Sequence, residues 1–212
     1  MVKGLDLFIL LLIVATTSLA GEKTLDVAPK ITYPAAQKSN TVVLPIVREK
    51  YKYYEVCGSC ENDLQCELKA KCIRWIDGKK YDSVTDWQLK WDYGYNRTPE
   101  ACTPESFTVT VDIVYQLPKW TRTGNPSGQL EEKWARFMEK LMLHEKGHRD
   151  IAVAAANELT GAIAELPPAR TCEDLDRAIS TLCRSRITRM KKEQKAYDAT
   201  TSHGVTQGAV FP

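Results

Sequence analysis

Leu141-Met142-Leu143-His144-Glu145-Lys146-Gly147-His148-Arg149-Asp150 decides both the fold and the chemistry. It contains His-Glu-x-x-His, a pattern that puts two imidazoles one helical turn apart with a carboxylate beside them. Residues four apart share a helix face, so His144 and His148 can address one ion. Glu145 sits about 100° around the helix from His144 and can reach a water on that ion without binding the ion itself. The flanks supply the helix. Trp134, Phe137, Leu141, His144, His148, Ile151, Ala155 and Leu159 follow steps of three and four and form one apolar stripe. The same stripe permits a plainer reading, two histidines satisfied inside a core. Two of them four apart, with Glu directly after the first, favour the metal.

The residue types fit one chemistry. Catalytic zinc keeps three protein ligands and leaves a fourth position for water. The ion acidifies that water and polarises a substrate carbonyl. A neighbouring carboxylate then takes the water proton and passes it to the leaving amine. His144 and His148 are the expected ligands of Zn2+, and Glu145 the expected general base.

The third ligand has two candidates. The chain has three histidines, and the last, His203, follows a helical segment; folding back, it would complete a three-histidine site. Glu193, on the preceding helix, is the rival. The longer metzincin pattern is absent, because Ile151 stands where its glycine would be and Ala154 where its third histidine would be.

Outward from the motif, a long helix is expected from about Gln129 to Glu165, after the turn cluster Gly124-Asn125-Pro126-Ser127-Gly128 and before Pro167-Pro168. Gly147 inside it costs about 1 kcal/mol relative to alanine, and a close neighbour would explain the choice. Thr171 with Asp174 starts a second helix, whose stripe is Leu175, Ile179, Leu182, Met190 and Tyr197. Earlier segments alternate or are rich in β-branched residues. Strands are expected at Thr41–Val47, Lys50–Val56, Trp87–Tyr93 and Phe107–Ile113, the last stopping by Pro118, with a short helix at Glu61–Lys71. Trp87 and Trp91 share a strand face and read as core packing ahead of a carbohydrate platform. Strands first and helices last make the class α+β: an antiparallel β-rich half on two long C-terminal helices, the first carrying the motif.

Composition sets the surroundings. Met1–Ala20 reads as a cleavable signal peptide, with Lys3 before the apolar run Leu7–Val14 and a small-x-small cut after Ala20. Residues 21–40 are an extended lead-in, and 41–212 a single domain. The net charge of +2 is mixed along the chain, which excludes a nucleic-acid footprint. No later segment is apolar enough to span a bilayer. Seven cysteines behind an export signal point to disulfides, with at least one thiol left over. Cys57, Cys60, Cys66 and Cys72 cluster. Cys172 and Cys183 fall on one helix, roughly 16 Å apart, and cannot bond to each other. Cys102 is the expected partner of Cys172.

Several stretches together resemble a known family: Tyr53-Tyr54-Glu55-Val56 before a short helix, Thr85-Asp86-Trp87-Gln88-Leu89-Lys90-Trp91, the strand ending Leu117-Pro118, the His144–Asp150 motif, and a tail with Tyr197, Asp198, Thr201, His203, Gly204, Thr206, Gln207, Gly208 and Ala209. The family is the predicted secreted bacterial zinc-dependent proteases, domain of unknown function nine-two-two. The resemblance implies a zincin-like fold and peptidase activity, and it favours His203, which its tail pattern contains. The expectation is a secreted or periplasmic zinc peptidase acting on a peptide or protein substrate. The alternative is an envelope binding protein with a structural zinc or no metal. Tyr197 is an oxyanion donor or a core tyrosine; Asp150 and Asp198 orient imidazoles or are surface charges.

Overall fold

The computed structural model describes residues 44–212. The expected signal peptide, the lead-in and Thr41–Val43 lie outside those residues. The chain runs β1 (Ile46–Gly58), α1 (Glu61–Lys71), β2 (Ile73–Arg74), β3 (Lys80–Tyr81), β4 (Val84–Arg97), β5 (Cys102–Arg122), α2 (Gly128–Ala164), α3 (Cys172–Thr201) and a last 3-10 turn, Val205–Gln207. The α+β order expected from the sequence holds. One pairing departs from the antiparallel expectation. In the sheet order β1-β5-β4, β4 is antiparallel to β5 while β1 runs parallel to it.

The strands are longer than their alternating cores suggest. β1 is continuous through Arg48 and Glu49 because every residue from Ile46 to Gly58 has a partner on β5. β5 passes Pro118 and ends at Arg122. The β4 ladder begins at Val84 opposite Gln116, so past that point β5 has β1 alone beside it. A residue without an N–H is tolerated where one side of a strand is free.

The core lies between the sheet and α2. Val109, Val111, Ile113, Tyr115 and Leu117 of β5 are buried at alternate positions, as the pleat requires. On β4 the inward row is Thr85, Trp87, Leu89 and Trp91, with Asp86, Gln88 and Lys90 exposed. Both tryptophans pack against the core. From α2, Phe137, Leu141, Ala152, Ala155, Ala156, Leu159 and Ile163 meet that face. Ser127 caps α2 by accepting from the Leu130 N–H, and Thr171 caps α3 by accepting from the Asp174 N–H. Phe211, near the chain end, closes edge-on against Trp134 and Phe137 at centroid separations of 5.6 and 5.5 Å. That contact brings the tail back to α2.

Cys102 and Cys172 form a disulfide, joining the start of β5 to the start of α3. The backbones of Cys102 and Ala169 bond reciprocally beside it, at 2.8 and 2.9 Å. The expected cysteine cluster is not cross-linked: Cys57, Cys60, Cys66, Cys72 and Cys183 are thiols. Helix geometry explains part of this. Cys60 and Cys72 are the two caps of α1 and Cys66 lies between them. Neighbours in that series are roughly 9 Å apart along the axis, beyond disulfide reach.

A candidate metal centre between the two long helices

A cleft of about 700 Å³ opens between the start of β4, the β2–β3 hairpin, the middle of α2 and the end of α3. His144, Glu145, His148, Asp198 and His203 line it. The first three come from α2 through the one-turn spacing of the motif. The last two arrive because α3 crosses α2 and then stops in left-handed residues: Ser202, His203 and Gly204 have φ of 49°, 52° and 84°. Gly204 is needed there. A Cβ on it would stand 2.9 Å from Ala209 Cβ and 3.0 Å from His144 Cγ.

Hydrogen bonds fix the state of both imidazoles. The Gln194 amide nitrogen donates to the His148 carbonyl at 2.9 Å, so its oxygen faces the ring and accepts from Nδ1–H at 2.5 Å. Gln207 donates to Tyr197 Oη at 3.1 Å and its oxygen accepts from His144 Nδ1–H at 3.0 Å. Each neutral ring therefore carries its proton on Nδ1 and a lone pair on Nε2. Those two Nε2 atoms are 3.3 Å apart, and both approach Asp198 Oδ1, at 3.4 Å from His144 and 3.0 Å from His148. Three electron-pair donors with nothing positive between them are mutually unfavourable unless a cation, a metal ion or a proton, joins them. His144, His148 and Asp198 offer ligand atoms all within 4.8 Å of one another, a group that can hold a metal ion. Two imidazoles and a carboxylate also suit a divalent ion of zinc's chemistry.

Without a metal ion a proton can take that place, on His148 Nε2 facing Asp198. Burial pulls the His148 pKa down, but the Asp198 carboxylate and Gln194 outweigh it, and the net shift is upward. Burial would raise Asp198, but His144 and His148 hold its carboxyl well below the usual range. Glu145 is buried, and its two oxygens accept from Ser83 Oγ and Thr85 Oγ1, each at 2.5 Å.

The remaining candidates are placed as follows. The third position in the donor group, expected for His203, falls to Asp198. His203 stands one contact further out, its Nδ1 3.4 Å from Asp198 Oδ1 and its ring against Tyr81 at 4.9 Å. Glu193 faces away, engaged by Arg189 Nε at 2.8 Å and by Arg186. Asp150 is exposed and paired with Arg149 at 2.8 Å. Tyr197 does not line the cleft. Its ring stacks on His144 at 5.1 Å and its hydroxyl donates to the His144 carbonyl at 3.1 Å. It is also the close neighbour of Gly147, where a Cβ would stand 2.1 Å from Tyr197 Oη. Ser83 and Gln194 were not singled out by sequence reading, and Thr85 and Gln207 only as parts of family stretches. Nothing distinguishes such residues in a chain until the fold aims them.

The chain matches the family model described as a bacterial protein of unknown function (DUF922) over residues 51–204, and it belongs to that family. No curated protein and no solved structure matches it.

Proposed function

We propose that the chain is a secreted or periplasmic zinc-dependent peptidase, with His144, His148 and Asp198 as ligands and Glu145 as general base. The observation that carries the reading is the convergence of two Nε2 lone pairs on one carboxylate oxygen, each ring turned by a glutamine on its far side. Zinc bound there would supply Lewis acidity, polarising a carbonyl and acidifying water. Glu145 receives the water proton and delivers it to the leaving amine. Asp198 adds negative charge to the site and holds the two rings at one point. The Cys102–Cys172 disulfide suits an oxidising compartment, and no helix among the described residues is long and apolar enough to cross a membrane.

A second reading has one observation in its favour. His203 Nδ1 lies 3.4 Å from Asp198, and a fourth protein ligand would close the position that a catalytic ion keeps for water. The protein would then be an envelope binding module with a structural ion. A digest of a peptide library by zinc-loaded protein, read by mass spectrometry, separates the two. Cleavage is the expected result. Full zinc occupancy with no cleavage, together with unfolding when the zinc is chelated, overturns the peptidase in favour of the structural ion.

A further inference from the structure

Glu145 is 2% exposed, and among the described residues its side chain bonds only to two hydroxyls. Ser83 and Thr85, which supply them, are themselves buried, at 7% and 8% exposure. Ser83 immediately precedes β4 and Thr85 is its second residue, the start of the row that continues inward as Trp87, Leu89 and Trp91. A core row would continue there with apolar side chains. A buried hydroxyl without a partner is costly, so this pair is accounted for by the carboxylate it meets.

The geometry points to Ser83 and Thr85 as the positioning residues of Glu145, and this rests on the peptidase reading above. The terminal torsion of a glutamate is soft and roughly two-fold, so a single contact leaves the carboxylate plane free to turn. One donor on Oε1 and another on Oε2 fix both its place and its rotation. Both hydroxyls donate, at 2.5 Å, so the two carboxylate oxygens are held from the same side of β4. Each oxygen keeps a further lone pair, so the clamp leaves Glu145 able to accept a proton. Thr85 Oγ1 also lies 3.3 Å from the Glu145 carbonyl oxygen, tying the same turn of α2 to β4. Neither hydroxyl touches the donor group, so their contribution is aim, which appears in the chemical step and not in metal affinity.

The test uses the zinc-loaded full chain and the peptide it cleaves best from the library. Ser83→Ala and Thr85→Val remove one donor each; Ser83→Thr and Thr85→Ser keep the hydroxyl. Zinc per chain, kcat and KM are measured for all four and for the double variant. Each donor loss should lower kcat about tenfold, and the double loss about a hundredfold, the range seen when groups that orient a site are removed. KM should stay within about twofold and zinc should stay bound. The hydroxyl-keeping variants should recover most of the rate. If Thr85→Ser loses as much as Thr85→Val, or if the loss follows zinc content, the hydroxyls are not positioning Glu145 and the inference is overturned while the peptidase stands. If wild-type protein cleaves nothing, the peptidase reading falls and takes this inference with it.

Discussion

Two polar clusters lie along α2 and α3, and they are built on opposite accounts of charge. Around Arg186 the signs balance. Its guanidinium meets Glu158 at 3.3 Å and Glu193 at 3.4 Å, and Arg189 meets Glu193 at 2.8 Å. Around His144 they do not. Two carboxylates, Glu145 and Asp198, stand with two imidazoles whose lone pairs face inward, and among the described residues no lysine or arginine pairs with either acid. The first cluster is charge-balanced as protein alone, although Arg186 Nε is buried without a partner. The second becomes complete when a cation enters. Burial and hydrogen bonding by themselves therefore do not mark a site; an unbalanced set of converging donors does.

The sharpest way to break the contrast is Glu145→Gln. The carboxamide keeps the shape but cannot take the proton, so peptide cleavage should fall by about 10²–10⁴-fold with zinc per chain unchanged. Retained cleavage would remove Glu145 from the chemistry. Next, opening the disulfide, whose cysteines are 70 residues apart in sequence, should cost about 2–5 kcal/mol in a denaturant titration under reducing conditions. Zinc binding at neutral pH should survive it, because the bridge sits at the far end of α3. Third, zinc at about a hundred times its dissociation constant should stabilise the wild type by roughly 2.7 kcal/mol. That increment should vanish in Asp198→Ala and persist in Arg186→Met. Arg186→Met should itself cost about 1–3 kcal/mol, since it strands partly exposed carboxylates. An increment that Arg186→Met abolishes would erase the distinction between the clusters.

The smallest effect concerns Cys183, one turn from Arg186. Burial pushes its thiol up from 9.0 to about 11. Below pH 9 both folded and unfolded chains hold the proton, and this group adds no pH dependence. Between pH 9 and 11 the unfolded chain releases it while the folded chain keeps it, so stability declines as pH rises. Cys183→Ala should flatten that alkaline limb of a thermal-melting profile. In the wild type, exposed Cys60 and Cys66 should alkylate well before Cys183.

Local signals were readable from the chain. Glu61–Lys71 was legible as a helix to the residue, and α2 and α3 through their periodicity and caps; helix geometry excluded a Cys172–Cys183 bond but left Cys102 as one choice among the other cysteines. The motif gave two donors because both lie within one turn. The third donor was not legible. Asp198 was singled out as a carboxylate that could orient an imidazole, not as a member of the donor group, and only the packing of α3 on α2 brings it beside His148. Ser83, Thr85, Gln194 and Gln207 are likewise ordinary residues whose roles depend on long-range pairing. Parallel pairing of β1 with β5 was equally hidden, because alternation reports burial and not strand direction.

The notch left by Gly147 has one more result. The phenol of Tyr197 fills the volume a methyl would take and bonds the carbonyl of His144 at 3.1 Å. It works as a peg in a socket: the rods cannot slip by one pitch, about 5.4 Å, without extracting it. Asp198 is the residue after the peg. The spacing between the donors on the two rods is thus gauged by a missing carbon atom on α2.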